Sequence, residues 1–119
     1  MKLWLSWLYA NNPTPKESYI VDGENNVGGL VGENSRNISY SYSTGSVNGE
    51  NNVGGLVGYN RYNSPIINSY YDEYTTNQND TGKGEPKTTE DMMQEATFDG
   101  WDFENVWMIE EDSYPQLRN

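Results

Sequence analysis

Gly23-Glu24-Asn25-Asn26-Val27-Gly28-Gly29-Leu30-Val31-Gly32 returns unchanged as Gly49-Glu50-Asn51-Asn52-Val53-Gly54-Gly55-Leu56-Val57-Gly58, an offset of 26 residues. A fixed period of roughly 20 to 50 residues marks a repeat architecture, in which one copy cannot bury its apolar face alone and its neighbour supplies the core. The likeness extends beyond the block. Val21 and Gly23 recur as Val47 and Gly49, and Ile38-Ser39-Tyr40-Ser41-Tyr42 corresponds to Ile66-Ile67-Asn68-Ser69-Tyr70 at offset 28, two residues having entered between Tyr62 and Pro65.

Each copy offers three strand candidates, around Val21 or Val47, across Val27 to Val31 or its repeat, and from Ile38 to Tyr42 or Ile66 to Tyr71. In the last, Ile38, Tyr40 and Tyr42 fall on one face by the two-residue period of a strand. Helix is disfavoured, because each glycine costs up to about 1 kcal/mol in a helix interior. The expected fold is all-β, a parallel β-helix or β-solenoid of about two coils of 26–28 residues. Stacking at strand spacing sets Val27 over Val53, Val31 over Val57 and Asn26 over Asn52, with the Asn amides at corners.

Outward from the repeat the chain divides into three. Residues 1–18 hold the apolar run Met1 to Ala10 and the breaker Asn11-Asn12-Pro13-Thr14-Pro15; they read as an N-terminal cap of the stack or a residual targeting segment. Ten residues fall short of the roughly 20 that a spanning helix needs. Residues 19–71 are the repeat coils. Residues 72–119 begin as a polar loop, continue as a short helix near 89–96 opened by Thr88-Thr89-Glu90-Asp91, and end in an aromatic cap containing Trp101 and Trp107.

Of 119 residues, 18 are Asp or Glu against 7 Lys or Arg, a formal net charge of −11. Such a chain repels phosphate backbones and anionic membrane surfaces, so neither nucleic acid nor membrane insertion is expected. Cys and His are both absent. That removes thiolate nucleophiles, the Ser-His-Asp arrangement and the usual zinc ligands. Gly28-Gly29-Leu30-Val31-Gly32 lacks the spacing of a dinucleotide loop, and in Gly82-Lys83-Gly84-Glu85-Pro86-Lys87-Thr88 a proline stands where a P-loop has glycine.

Asn-Val-Gly-Gly-Leu-Val-Gly followed by Ile-x-x-Ser-Tyr resembles the GLUG motif, a repeat of bacterial surface and secreted proteins. These include adhesin-like proteins and the N-terminal parts of immunoglobulin A-cleaving metallopeptidases. The tail, from Ser69-Tyr70-Tyr71-Asp72 through Gly100-Trp101-Asp102-Phe103 to Tyr114-Pro115-Gln116-Leu117-Arg118, is similar to the segment that ends such regions. The resemblance implies an extracellular or cell-surface β-solenoid of right-handed parallel type, a spacer or adhesion module within a longer repeat chain. There is no His-Glu-x-x-His, so peptidase activity does not carry over and no enzyme is expected.

Among seven tyrosines weighed as an aromatic strip, Tyr59, Tyr62 and Tyr74 sit at loops and are the candidate contacts for a host glycan or protein. Tyr42 and Tyr70 are expected in the core. Carboxylates gather at Asp72-Glu73, at Asp99 and Asp102, and at Glu110-Glu111-Asp112. Solvated acidic loops are the preferred reading; Ca²⁺ held by oxygen ligands ranks second, with no cofactor expected otherwise. The alternative function is a carbohydrate-active or carbohydrate-binding β-helix that uses these acids as a pair.

Overall fold

The computed structural model describes residues 20–119, built mostly of short strands with little helix. The first copy contributes β1 (Ile20–Asp22), β2 (Asn25–Gly28), β3 (Val31–Asn34), β4 (Ile38–Ser39) and β5 (Tyr42–Ser43). The second contributes β6 (Ser46–Asn48), β7 (Asn51–Gly54), β8 (Val57–Asn60), β9 (Ile66–Ile67) and β10 (Tyr70–Asp72). Every strand of the first copy pairs in parallel with its counterpart in the second. Val27 lies opposite Val53 and Val31 opposite Val57; Ile38 lies opposite Ile66 and Tyr42 opposite Tyr70, across the two-residue insertion. The expected N-terminal cap, residues 1–18, lies outside the described residues.

Two corrections to the expected strands follow from backbone geometry. Each copy has five short strands rather than three, because the chain turns within the stretches that alternate. Tyr40 is one such turn: its φ of 49° is left-handed and its ring is exposed, while Ile38 and Tyr42 are buried. The period-two reading placed all three on one face, and it fails where a corner resets the alternation. The counterpart Asn68 has φ 48°, and Asn tolerates this region better than Tyr does. Asn26 and Asn52 form a second matched corner, at φ 54° and 51°, with the Asn52 amide donating to Asn26 Oδ1 at 2.9 Å.

Between the copies lies a buried cluster of Leu30, Val31, Ile38, Leu56, Val57 and Tyr71, with Ile66 against it. Leu30 and Leu56 are fully buried, each worth about 2 kcal/mol of transfer free energy. Glycine is required where backbones approach. A Cβ on Gly29 would run into Gly55 O and stand 2.8 Å from Ser43 Oγ, and one on Gly55 would enter the Tyr71 ring. Ser43 and Tyr71 are partners in register, the small side chain fitting between two glycine segments and the large one filling the space beyond the second.

After β10 comes one turn of helix, α1 (Glu73–Thr76), then β11 (Glu85–Lys87), which pairs in parallel with β10. The short helix expected near 89–96 is absent as such. In its place are two 3-10 turns, Asp91–Met93 and Glu95–Thr97, separated by Gln94 in an extended conformation. Thr88 Oγ1 does cap, accepting from Asp91 N at 3.0 Å. The break lets Met92 and Phe98 both reach a second core with Tyr42, Tyr70, Trp101 and Trp107. The antiparallel pair β12 (Trp107–Met108) and β13 (Gln116–Leu117) closes that side. Tyr42 and Tyr70 are buried, as expected, and Tyr42 donates its hydroxyl to Pro115 O at 2.5 Å. The aromatic tail thus packs directly on repeat residues, and the expected boundary at residue 72 falls inside β10.

Candidate functional site

The three tyrosines expected at loops occupy different settings, and two of them lie on regular elements because strand and helix run on into those stretches. Tyr59 is on β8 opposite Glu33 and is partly exposed. Tyr62 is 80 % exposed, in a 3-10 turn (Arg61–Asn63) with φ 58°. The Arg61 guanidinium stands 5.4 Å from its ring centroid and also bonds Glu33 at 3.1 Å. Tyr59 and Tyr62 therefore share the Glu33–Arg61 neighbourhood, beside an open depression of about 640 Å³ lined by Tyr62, Ser35, Arg36, Asn37 and Ser64. Tyr74 stands apart on α1, which packs against β6 and β10. Tyr40, not chosen from sequence, lines a cleft of about 250 Å³ with Gly100, Asp102, Val106 and Trp107.

The carboxylates divide between structural and solvated roles. Asp72 is fully buried and caps α1, accepting from Tyr74 N at 2.9 Å, Thr75 N at 3.0 Å and the Tyr114 hydroxyl at 2.7 Å. Asp102 turns the chain by accepting from Asn105 N, Asn105 Nδ2 and Glu104 N, and these bonds, those of Asn105 foremost, hold its carboxyl below the ordinary range. Glu110, Glu111 and Asp112 meet Glu90 and Glu95 around an open cleft of about 470 Å³. Among the described residues, no group of three or more acids is arranged to hold a metal ion.

Residues 77–84, within the expected polar loop, carry a set of directed contacts. Lys83 Nζ donates to Val53 O at 3.1 Å, to Val57 O at 3.0 Å and to Asp80 Oδ2 at 3.0 Å. Asp80 Oδ1 accepts from Gly55 N at 2.9 Å, Tyr71 donates its hydroxyl to Asp80 O at 2.5 Å, and Gln78 Nε2 donates to Val47 O at 3.0 Å. Lys83 is thus committed to backbone carbonyls, which leaves no phosphate cradle at Gly82-Lys83-Gly84. No local pattern announces these bonds; the only signal was a lysine with an acid three residues before it.

An all-β chain with two strand-matched copies is the class this geometry defines, and residues 23–48 match the family described as the GLUG motif. The chain carries that motif, and the identical block at Gly49 to Gly58 begins its repetition. Over 97 residues, 75 % of this chain, it is 47 % identical to a protein of Evansella cellulosilytica described as "Putative Gly-rich membrane protein". The matched stretch spans 11 % of that relative. No solved structure matches the chain.

Proposed function

We propose that the chain is two coils of a parallel β-solenoid within a longer bacterial surface protein, a non-catalytic module acting as spacer or in adhesion. The carrying observation is the register: residues 26 apart in sequence stand side by side at three successive strand pairs. A chain that repeats one turn per coil extends at a fixed rise and presents the same loops at each level, which suits a stalk. The net charge of −11 keeps such a stalk soluble and away from anionic surfaces. The description of the relative as a membrane protein supports a cell-surface setting. Among the described residues no helix is long and apolar enough to cross a membrane.

The contact face of the module is the Tyr59–Tyr62 neighbourhood, with Tyr74 as a separate point. The paired-acid alternative loses support at Asp72, whose oxygens are committed to a helix cap and a tyrosine, and at Asp102, which holds a turn. The test is to display the chain on a cell and probe intact cells with antibody, then screen it on glycan and host-protein arrays with and without Ca²⁺. Binding that Tyr59→Ala and Tyr62→Ala abolish is the adhesion outcome. A sugar hydrolysed rather than bound would contradict the non-catalytic reading.

A further inference from the structure

The second copy faces loop 77–84 where the first copy faces the second, and the atoms correspond. A Cβ placed on Gly28 would lie 2.6 Å from Gly58 N and 2.9 Å from Leu56 O, a donor and an acceptor of the next copy's backbone. On the equivalent Gly54, it would lie 2.5 Å from Lys83 Nζ and 2.9 Å from Asp80 Oδ2. A cation stands where the amide donor stood, and a carboxylate oxygen where the carbonyl stood. We propose that Asp80 and Lys83 take the place of a third coil's backbone, closing this face of the stack against docking by another GLUG coil; this rests on the two-coil reading above.

The neighbouring groups agree. Gly55 N bonds Asp80 Oδ1, and the carbonyls of Val47, Val53 and Val57 are taken by Gln78 and Lys83 side chains. Tyr71 replaces the Ser43 of the first copy, and its ring fills the volume against Gly55. An open strand edge is a template for pairing with another chain, and charged side chains laid across it are a known remedy. The partner excluded is specific: a second copy of this chain, whose β1 to β3 edge carries no partner strand among the described residues. It would dock in the register that already joins β2 to β7, because the ten-residue block is identical in both copies. Such a contact is heterologous and does not close, so it grows head to tail.

The test removes the pair in the full chain as Asp80→Ala/Lys83→Met and follows sedimentation against concentration. To read register, Asn51→Cys is placed on one batch and Asn25→Cys on another, and the two are mixed under mild oxidation. The expected result is concentration-dependent growth beyond the unaltered chain, with a disulfide between position 51 of one molecule and 25 of the next. A variant that folds and sediments as the unaltered chain does, or that aggregates without this disulfide, overturns the proposal. Should the variant not fold, amide exchange on the unaltered chain decides: Gly55 N–H is expected within about tenfold of the Leu30 and Val31 amides. Fast exchange at Gly55 alone overturns the stand-in role, whereas fast exchange at Leu30 and Val31 as well, both bonded to Leu56 O, counts against the coil reading itself.

Discussion

Asn34 donates its side-chain amide to Asn60 Oδ1 at 2.9 Å, across an offset of 26 residues, and Asn34 is fully buried. The same amide reaches Arg36 O at 2.5 Å, and Asn60 in turn donates to Ser64 O at 2.8 Å. One side chain therefore holds a turn in its own copy and ties that turn to the next. Replacing Asn34 with Leu leaves Asn60 Oδ1 and Arg36 O short of a donor, and is expected to cost about 2 kcal/mol. Urea denaturation of the variant beside the unaltered protein measures it, and a change under about 0.5 kcal/mol counts against the ladder.

Gly55 and Tyr71 are coupled by contact. Gly55→Ala pushes a methyl group into the Tyr71 ring and is expected to destabilise by at least about 2 kcal/mol, as overpacking does. Tyr71→Ser removes the ring and leaves a cavity, a loss of similar size or larger. The double variant is expected to lose less than the two single losses combined, because the methyl group then has room. Additive losses in a double-mutant cycle rule this contact out.

Asp72 joins the end of β10 to the tail through two backbone amides and the Tyr114 hydroxyl. Asp72→Ala is expected to cost about 2 kcal/mol, the sum of a lost cap and a buried hydrogen bond. Tyr114→Phe, which spares the cap, is expected to cost roughly half that. Equal losses in thermal denaturation would mean that the cap contributes nothing.

Alkaline pH acts through buried phenols. Burial, reinforced by Tyr114, pushes the Tyr42 hydroxyl above its ordinary value; burial and Asp80 do so for Tyr71, and burial and Asp72 for Tyr114. A phenol whose folded value is raised keeps its proton longer in the folded state, so the unfolded state loses protons first. These groups therefore contribute stability that is fully present below about pH 10 and lost as pH rises beyond it. Denaturation midpoints measured from pH 8 upward are expected to hold level and then fall, while tyrosinate absorbance rises as the fold is lost. Tyrosinate forming at Tyr42, Tyr71 and Tyr114 while the fold persists would contradict this.

What the sequence disclosed was whatever the repeat itself encodes. Identical residues at a constant offset must find identical neighbours, so Val27 opposite Val53 and Asn26 beside Asn52 were legible without coordinates. Tyr40 was not legible, because a corner can interrupt alternation without a glycine or proline to announce it. The 89–96 segment has helical composition, and the burial of Met92 and Phe98 in the aromatic core overrides it. For the site, Tyr62 and Tyr74 are exposed as contact candidates must be, though Tyr74 lies on α1 and Tyr59 on β8 rather than on loops; the work of Lys83 and Asp80 depends on two carbonyls and an amide 25 to 30 residues away in sequence. Side chains that substitute for backbone leave no periodic trace.

Residues 26 apart in sequence stand one strand apart in space. Asn25 and Asn51 are paired in register, both exposed, with the Asn51 amide donating to Asn25 Oδ1 at 2.9 Å. Neighbouring strands lie about 4.8 Å apart, within the range of Cα separations that a disulfide bridges. Asn25→Cys/Asn51→Cys in the native chain is expected to close an intramolecular disulfide under mild oxidation, read by mass spectrometry of the peptides. It should raise the denaturation midpoint, while Asn25→Cys paired with Cys at Asn48 in place of Asn51 should not close efficiently. A folded protein that forms no disulfide between positions 25 and 51 is incompatible with β2 lying beside β7 in this register.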